Sequence, residues 1–233
     1  MQNVKKCALL LAFLLPFLTP VLSRSQGLAR LGQGDVGSAL KEALNSGVQK
    51  GTTQLSAVDG FFKNAAIKIL MPPEAAKVES TLRQMGAGAQ VDQAILSMNR
   101  SAEDATKSAA NIFLNAITQM SISDALGLLK GGDTAATHYL RTKTTINLTV
   151  AFKPIITSSL QKTNATQYWN TVFGTYNKVP FVKKVNPDLV AYVTQKALDG
   201  IFYEIAIQEK EIRANPAART TALMQSVFGS LGH

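Results

Sequence analysis

The chain should fold as an all-α, single-domain multi-helix bundle, and three observations predict it. No stretch alternates apolar and polar residues around hairpin chemistry. Helix-starting and helix-stopping residues recur along the whole length. Apolar side chains repeat at helical spacing: at about 100° per residue, Met98, Ala102, Ala105, Ala109, Ile112, Ala116 and Met120 fall within roughly 40° of one line. With 233 residues, 46% of them apolar, the chain can bury a sizeable core.

Taken in order, Asp35 can cap a first helix through Ala39, Leu40, Ala43, Leu44 and Val48; Gly47 and Gly51 weaken its later turns, so a packing partner must compensate. "GFFKNAAIKILMPP" reads as a short helix running into an extended segment that ends at Pro72 and Pro73. Pro73 then opens a helix that stops at Gly86. A long helix is expected near residues 89–120. Ser121 or Ser123 can cap "SDALGLLK", which stops at Gly131 and Gly132. Asp133 restarts the chain as "DTAATHYL", and an apolar helix from Thr145 reaches Lys162, interrupted or kinked at Pro154. "NATQYWNTVFGTYNKVP" supplies another helix. Asn186-Pro187 and Asn215-Pro216 each place a capping side chain before a proline at a first helical position. The helix near 187–213 carries apolar residues almost all round (Leu189, Val193, Ala197, Leu198, Ile201, Phe202, Ile205), which makes it the central one.

Several polar residues lie against these apolar faces. Asn99 and Glu103 project beside the core stripe, across the angles that Ala110, Phe113, Leu114 and Ile117 widen. A structural hydrogen bond or ion pair, for instance Glu103 with Lys107 at i+4, is one reading, and a ligand contact is the other. Glu204 is a second carboxylate expected near packed surface, and it needs a partner. Glu209 and Arg213 form an i,i+4 pair by themselves, leaving Arg141 and Arg219 as candidate partners for Glu103 or Glu204.

The first residues read as an export signal: Lys5 and Lys6, an apolar run from Ala8 to Leu15, Pro16 and Pro20, then small residues. Residues 1–23 are therefore expected to be a signal peptide, cleaved after Ser23 or Ser25, with residues 24–233 as one helical domain. Cys7, the only cysteine, would leave with the signal, so disulfide or thiolate-metal chemistry is not expected. Net charge is +9, or +7 without Lys5 and Lys6. The distribution is uneven, since no acidic residue falls between Asp133 and Asp188. That stretch holds Arg141, Lys143, Lys153, Lys162, Lys178, Lys183 and Lys184, interleaved with Tyr139, Phe152, Tyr168, Trp169, Phe173, Tyr176 and Phe181. The combination suits lipid headgroups, lipopolysaccharide or nucleic acid, and export argues against nucleic acid, so the expected partner is an anionic lipid, lipopolysaccharide or an envelope protein. The alternative is that helices scatter the cations while the aromatics pack inside.

"GQGDVG", residues 32–37, matches the dinucleotide fingerprint in letters only, with no preceding strand and no βαβ unit. Asn147 and Asn164 head glycosylation sequons, which matter only in a eukaryotic secretory pathway. Two histidines, His138 and His233, are too few for a histidine-based metal cluster. H-E-x-x-H, G-x-S-x-G and P-loop motifs do not occur, so neither a cofactor nor a metal is expected. Glu103 and Glu204 could pair as acid and base, but the Glu-x-x-His of four-helix carboxylate sites is missing, which argues against an enzyme.

"DGFFKNAAIKILMP", "MNRSAEDA", "SDALGLLKGGDTAATHYL", "AYVTQKALDGIF" and "IRANPAARTTALMQSVFG" together resemble one bacterial family of unknown function, domain of unknown function 4197, over about residues 28–229. The resemblance implies an exported, all-helical protein of the Gram-negative envelope and brings no activity or ligand with it. It places Asn99, Glu103, Asp133, Arg141, Asp199, Arg213 and Arg219 inside characteristic motifs; with Glu204 they are candidates for a polar cluster. The expected function is a helical binding or scaffolding module of the envelope, engaging an anionic or amphiphilic component through Lys143, Lys153, Lys162, Lys178, Lys183 and Lys184. An alternative is an internal pocket for a small apolar ligand, gated by Glu103 and Arg141. A carboxylate-based hydrolase is the third option.

Overall fold

The computed structural model describes residues 32–178, 180–181, 184 and 188–230. The expected signal peptide, Cys7, Lys183, Asn186-Pro187 and His233 lie outside the described residues. Every regular element among the described residues is helical: α1 (Gln33–Ser56), α2 (Ala76–Gln84), α3 (Gly88–Thr106), α4 (Ala109–Thr118), α5 (Ile122–Leu129), α6 (Ala135–Lys162), α7 (Ala165–Tyr176), α8 (Leu189–Ala214) and α9 (Ala222–Ser230). The all-α bundle is thus the fold.

The central position of α8 follows from its sequence. Leu189, Val193, Ala197, Ile201 and Ile205 form one buried ridge, and Leu198 and Phe202 bury a second side. Around it pack α6, α1 and α3, and α6 also packs against α3 and α4. Asp188 caps α8 by accepting from the Ala191 N–H at 2.9 Å. In α1, helix propensity is given up for close approach. A Cβ on Gly47 would lie 3.3 Å from Gln208 Cβ, and one on Gly51 would lie 3.3 Å from Glu204 Cγ, so α8 is the compensating partner. The helix starts at Gln33, and Asp35 acts from its first turn by accepting from the Gly32 N–H at 3.0 Å. Ser121 caps α5 in a reciprocal box with Asp124.

Four expectations need correction. The helix near 89–120 is two helices, broken at Lys107 and Ser108, where the Ser108 N–H and Oγ both donate to the Ala105 carbonyl. This local bonding competes with the i−4 ladder, and beyond it the buried face turns from the Ile112/Ala116 line to Phe113 and Ile117. Conversely, "DTAATHYL" and the helix from Thr145 are one continuous α6 that runs through Pro154. Ala136, Leu140, Thr144, Leu148, Phe152, Ile156 and Leu160 are buried at every fourth residue along it, so packing holds both sides of the proline in line. Asn215-Pro216 opens only a 3-10 turn, Pro216–Ala218; Thr221 Oγ1, accepting from the Met224 N–H at 3.1 Å, caps α9. Finally, residues 57–71 form successive turns without the expected short helix, and the Ile69 N–H donates to Asn99 on α3 instead of to an i−4 carbonyl.

Candidate functional site

Asn99 and Glu103 are buried one turn apart on α3, and both face the segment that joins α1 to α2. Asn99 Oδ1 accepts from the Ile69 N–H at 2.9 Å, while its Nδ2 donates to the Ile69 carbonyl at 2.8 Å and to the Ile95 carbonyl at 2.7 Å. Glu103 Oε1 accepts from the Phe61 and Phe62 N–H groups at 3.1 and 3.2 Å. Its Oε2 accepts from Arg100 at 2.7 Å, and Arg100 reaches on to Asp59 at 2.7 Å. Hydrogen bonds to Glu103, then Asp59, raise the Arg100 pKa above its ordinary value. Those from Lys63, then Arg100, hold the Asp59 carboxyl below the usual carboxylate range. Asn99 therefore occupies the Ile69 N–H, which a helix reaching that residue would give to the Ala65 carbonyl, whereas Glu103 holds the Phe61 and Phe62 N–H groups, which the first turn of a helix leaves without an internal partner. The Glu103 to Lys107 pair does not form; Lys107 pairs with Asp104 at 2.8 Å.

A second clasp stands near the C-terminal end of α8. Glu209 accepts from the Ala136 and Thr137 N–H groups at 3.1 and 2.7 Å, at the start of α6, and from the Thr137 hydroxyl. Arg213 pairs with Glu209 at 2.9 Å and donates to the Leu128 and Leu129 carbonyls at the end of α5. The carboxylate thus meets the positive end of one helix and the guanidinium the negative end of another. Arg219 donates to the Ile212 and Arg213 carbonyls at 3.0 and 2.8 Å, closing the end of α8.

The eight candidate residues consequently form no single cluster. Arg141 and Arg219 partner neither Glu103 nor Glu204. Arg141 pairs with Asp199 at 3.2 Å and lies 4.4 Å from the Phe202 ring. Glu204 sits against Gly51 and accepts from Gln208 at 2.8 Å. Asp133 is exposed ahead of α6. Glu103 and Glu204 have separate partners on separate helices, α3 and α8. Among the described residues no group of three or more His, Cys, Asp and Glu side chains is placed to hold a metal ion. Sequence reasoning missed Asp59 and Arg100; the spacing of Arg100 and Glu103 at i,i+3 was the available signal.

The basic stretch divides as well. Lys143, Lys153, Lys162, Lys178 and Lys184 are exposed, whereas Phe152, Trp169 and Phe173 are buried. Two of those aromatics line a cavity of about 410 Å³ between α2, α3, α7 and the start of α8. Val91, Met98, Ala165, Trp169, Phe173 and Leu189 make an apolar floor, and exposed Gln90, Gln93 and Thr163 stand at its rim. The Ser97 hydroxyl also faces it but is occupied by the Gln93 carbonyl at 2.8 Å. Trp169 packs on Phe173 at 4.4 Å and stacks on Tyr192 at 6.0 Å. Neither Glu103 nor Arg141 lines this cavity, so the gate expected from the sequence is not there. Among the described residues no single helix is long and apolar enough to cross a membrane.

Fold and site together define a helical bundle whose buried polar groups hold chain segments in place and in which an opening with an apolar floor lies between α2, α3, α7 and α8. The chain belongs to the family described as protein of unknown function DUF4197, whose model matches residues 30–229. No curated protein and no solved structure matches it.

Proposed function

We propose that the protein is a binding module that takes a small molecule with an apolar body into the cavity between α2, α3, α7 and α8. The observation that carries this reading is the apolar floor of a 410 Å³ opening beneath a polar rim. Small-molecule sites have that anatomy and span roughly 300–1,000 Å³. The one tryptophan of the chain, Trp169, lines the floor and is a built-in reporter. Titration with straight-chain alcohols from octanol to dodecanol should shift its emission saturably. Each added methylene should tighten binding about four-fold, the equivalent of ~0.8 kcal/mol per buried CH₂. Ala94→Phe, on the cavity wall, should abolish the response. Emission that never saturates, or that is indifferent to Ala94→Phe, would overturn the reading.

A second reading rests on the outer face of α6, where Ile146 and Val150 are 77% and 70% exposed between Lys143 and Lys153. No acidic residue lies in residues 134–187, so this face suits an anionic lipid surface. Flotation with phosphatidylglycerol vesicles, lost on Lys143→Gln with Lys153→Gln, tests it; equal recovery with phosphatidylcholine would refute it. Under either reading residues 1–23 direct export to the envelope, and sequencing the mature N-terminus from a periplasmic fraction checks that step.

A further inference from the structure

The cavity has a neighbour with the opposite chemistry. A second depression of about 390 Å³ lies across Met71, which lines both, and its walls include Lys68, Tyr192, Lys196 and Asp199. Tyr192 belongs to the second opening and stacks on Trp169 of the first, so Met71 and this ring pair form the partition between them. The ring is held from its far end by the Tyr192 hydroxyl, which donates to the Leu70 carbonyl at 2.8 Å. Met71 is the movable part of the partition, an unbranched side chain with three rotatable bonds.

Charge in the second depression is unbalanced. Asp199 is the one carboxylate in its lining, and it is already engaged by Arg141 and Gln195, each at 3.2 Å. Glu74 is not a lining residue, though its charge reaches Tyr192. Lys68 and Lys196 have no carboxylate within ion-pair distance among the described residues. Instead their ammonium groups lie 4.0 Å from the Phe62 ring and 5.9 Å from the Tyr192 ring. Aromatic faces hold these cations in the depression without neutralising them.

We infer that the ligand is a single-chain anionic amphiphile: its hydrocarbon tail lies in the apolar cavity, and its carboxylate or phosphate head crosses at Met71 to Lys68 and Lys196. The inference rests on the apolar-ligand reading above and adds the class of head group. Nothing on the cavity floor could neutralise an anion, whereas the adjoining depression, which shares Met71 with it, supplies two cations. A neutral amphiphile of the same tail would use the first opening alone.

The test compares dodecanoate, dodecyl phosphate and dodecanol at neutral pH, below their micellar concentrations, by Trp169 emission and by calorimetry. Both anions should bind at least ten times more tightly than the alcohol, with an advantage that shrinks as salt is added. The double variant Lys68→Gln, Lys196→Gln should bring the anions to within two-fold of the alcohol and leave the alcohol unchanged; both side chains reach solvent, so the fold survives the exchange. A preference for one anion over the other assigns the head group to carboxylates or to phosphates. Equal affinity of all three for the unaltered protein would overturn the head-group inference and leave the cavity reading intact. Binding of none would overturn both.

Discussion

Replacing Glu103 by alanine separates a structural carboxylate from a functional one. The side chain is 4% exposed and satisfies the Phe61 N–H in a fully buried position, the Phe62 N–H in a partly buried one, and Arg100. Leaving the Phe61 N–H unpaired costs about 2–3 kcal/mol, and the better-solvated Phe62 N–H about 1 kcal/mol. Arg100 is 34% exposed and keeps Asp59, so its loss adds under ~1 kcal/mol. The sum, ~4 kcal/mol, agrees with the ~3–5 kcal/mol typical of breaking a buried charge pair. For a chain of this size it lowers the melting temperature by on the order of 10 °C. Denaturant unfolding followed by Trp169 emission measures the free energy, and hydrogen exchange at the Phe61 and Phe62 amides locates it. Glu103→Gln, which still accepts from both amides but gives up its charge to Arg100, should lose less than half as much. A carboxylate reserved for catalysis or ligand contact behaves the other way, since its removal commonly leaves stability unchanged or raises it. An alanine variant within ~0.5 kcal/mol of the parent would refute the clasp.

Glu209→Ala strips the buried N–H groups of Ala136 and Thr137 and leaves the buried Arg213 with two carbonyl partners but no carboxylate; a loss of ~3–5 kcal/mol in chemical denaturation is expected. Gly51→Leu should cost ~2 kcal/mol or more, because overpacking against Glu204 outweighs the ~1 kcal/mol gain in helix propensity. Gly34→Ala, with open space around its Cβ on the same helix, should stabilise by ~0.5–1 kcal/mol. Burial, helped by the charge of Glu74, pushes the Tyr192 hydroxyl up to about 12 from 10.0. The folded state thus holds this proton more tightly than the unfolded chain, and the stability it contributes is complete below pH 10 and lost as pH rises towards 12. Absorbance titration of the phenol, with Tyr192→Phe as the blank, reads it directly.

What the sequence disclosed was set by how local each cause is. Ser121 with Asp124, and the buried ridge of α8, act within one or two turns and are readable as strings. The angular position of Asn99 and Glu103 likewise showed that they border packed surface. Their partners were not readable, because those are backbone groups some 30 to 42 residues earlier. The same applies to Arg141 and Arg219, whose partners were sought among side chains, while Arg219 caps carbonyls of its own neighbouring helix. Pro154 and the Lys107-Ser108 break misled in opposite directions. The packing seam of α6 overrides a local breaker, and Ser108 introduces a local bond where the apolar pattern runs on unbroken. Trp169 and Phe173 sit four residues apart, as core residues do; that their helix stands off from α3 to leave an opening is a property of the assembled bundle alone.

The size of that opening bears on its use. At ~24 cal/mol per Å³, a closed and empty void of 410 Å³ would cost roughly 10 kcal/mol, as much as the whole stability of a typical domain. The cavity is instead open to solvent at its rim of Gln90, Gln93 and Thr163. Water over Met71, Leu82, Ala87 and Ala94, the partly exposed apolar residues of the lining, finds few polar partners, so an apolar body displaces it with little loss of hydrogen bonding. Filling the space covalently should capture part of the same gain. Ala94→Phe is expected to raise stability by ~1–2 kcal/mol while abolishing dodecanol binding, the usual opposition between a packed site and a working one. Ligand at a hundred times its dissociation constant would give the parent protein about 2.7 kcal/mol, so thermal melts with and without dodecanol should converge in the variant and separate in the parent. A destabilised Ala94→Phe protein that still binds dodecanol would mean that the alcohol occupies another surface and that the floor between α3 and α7 is ordinary core.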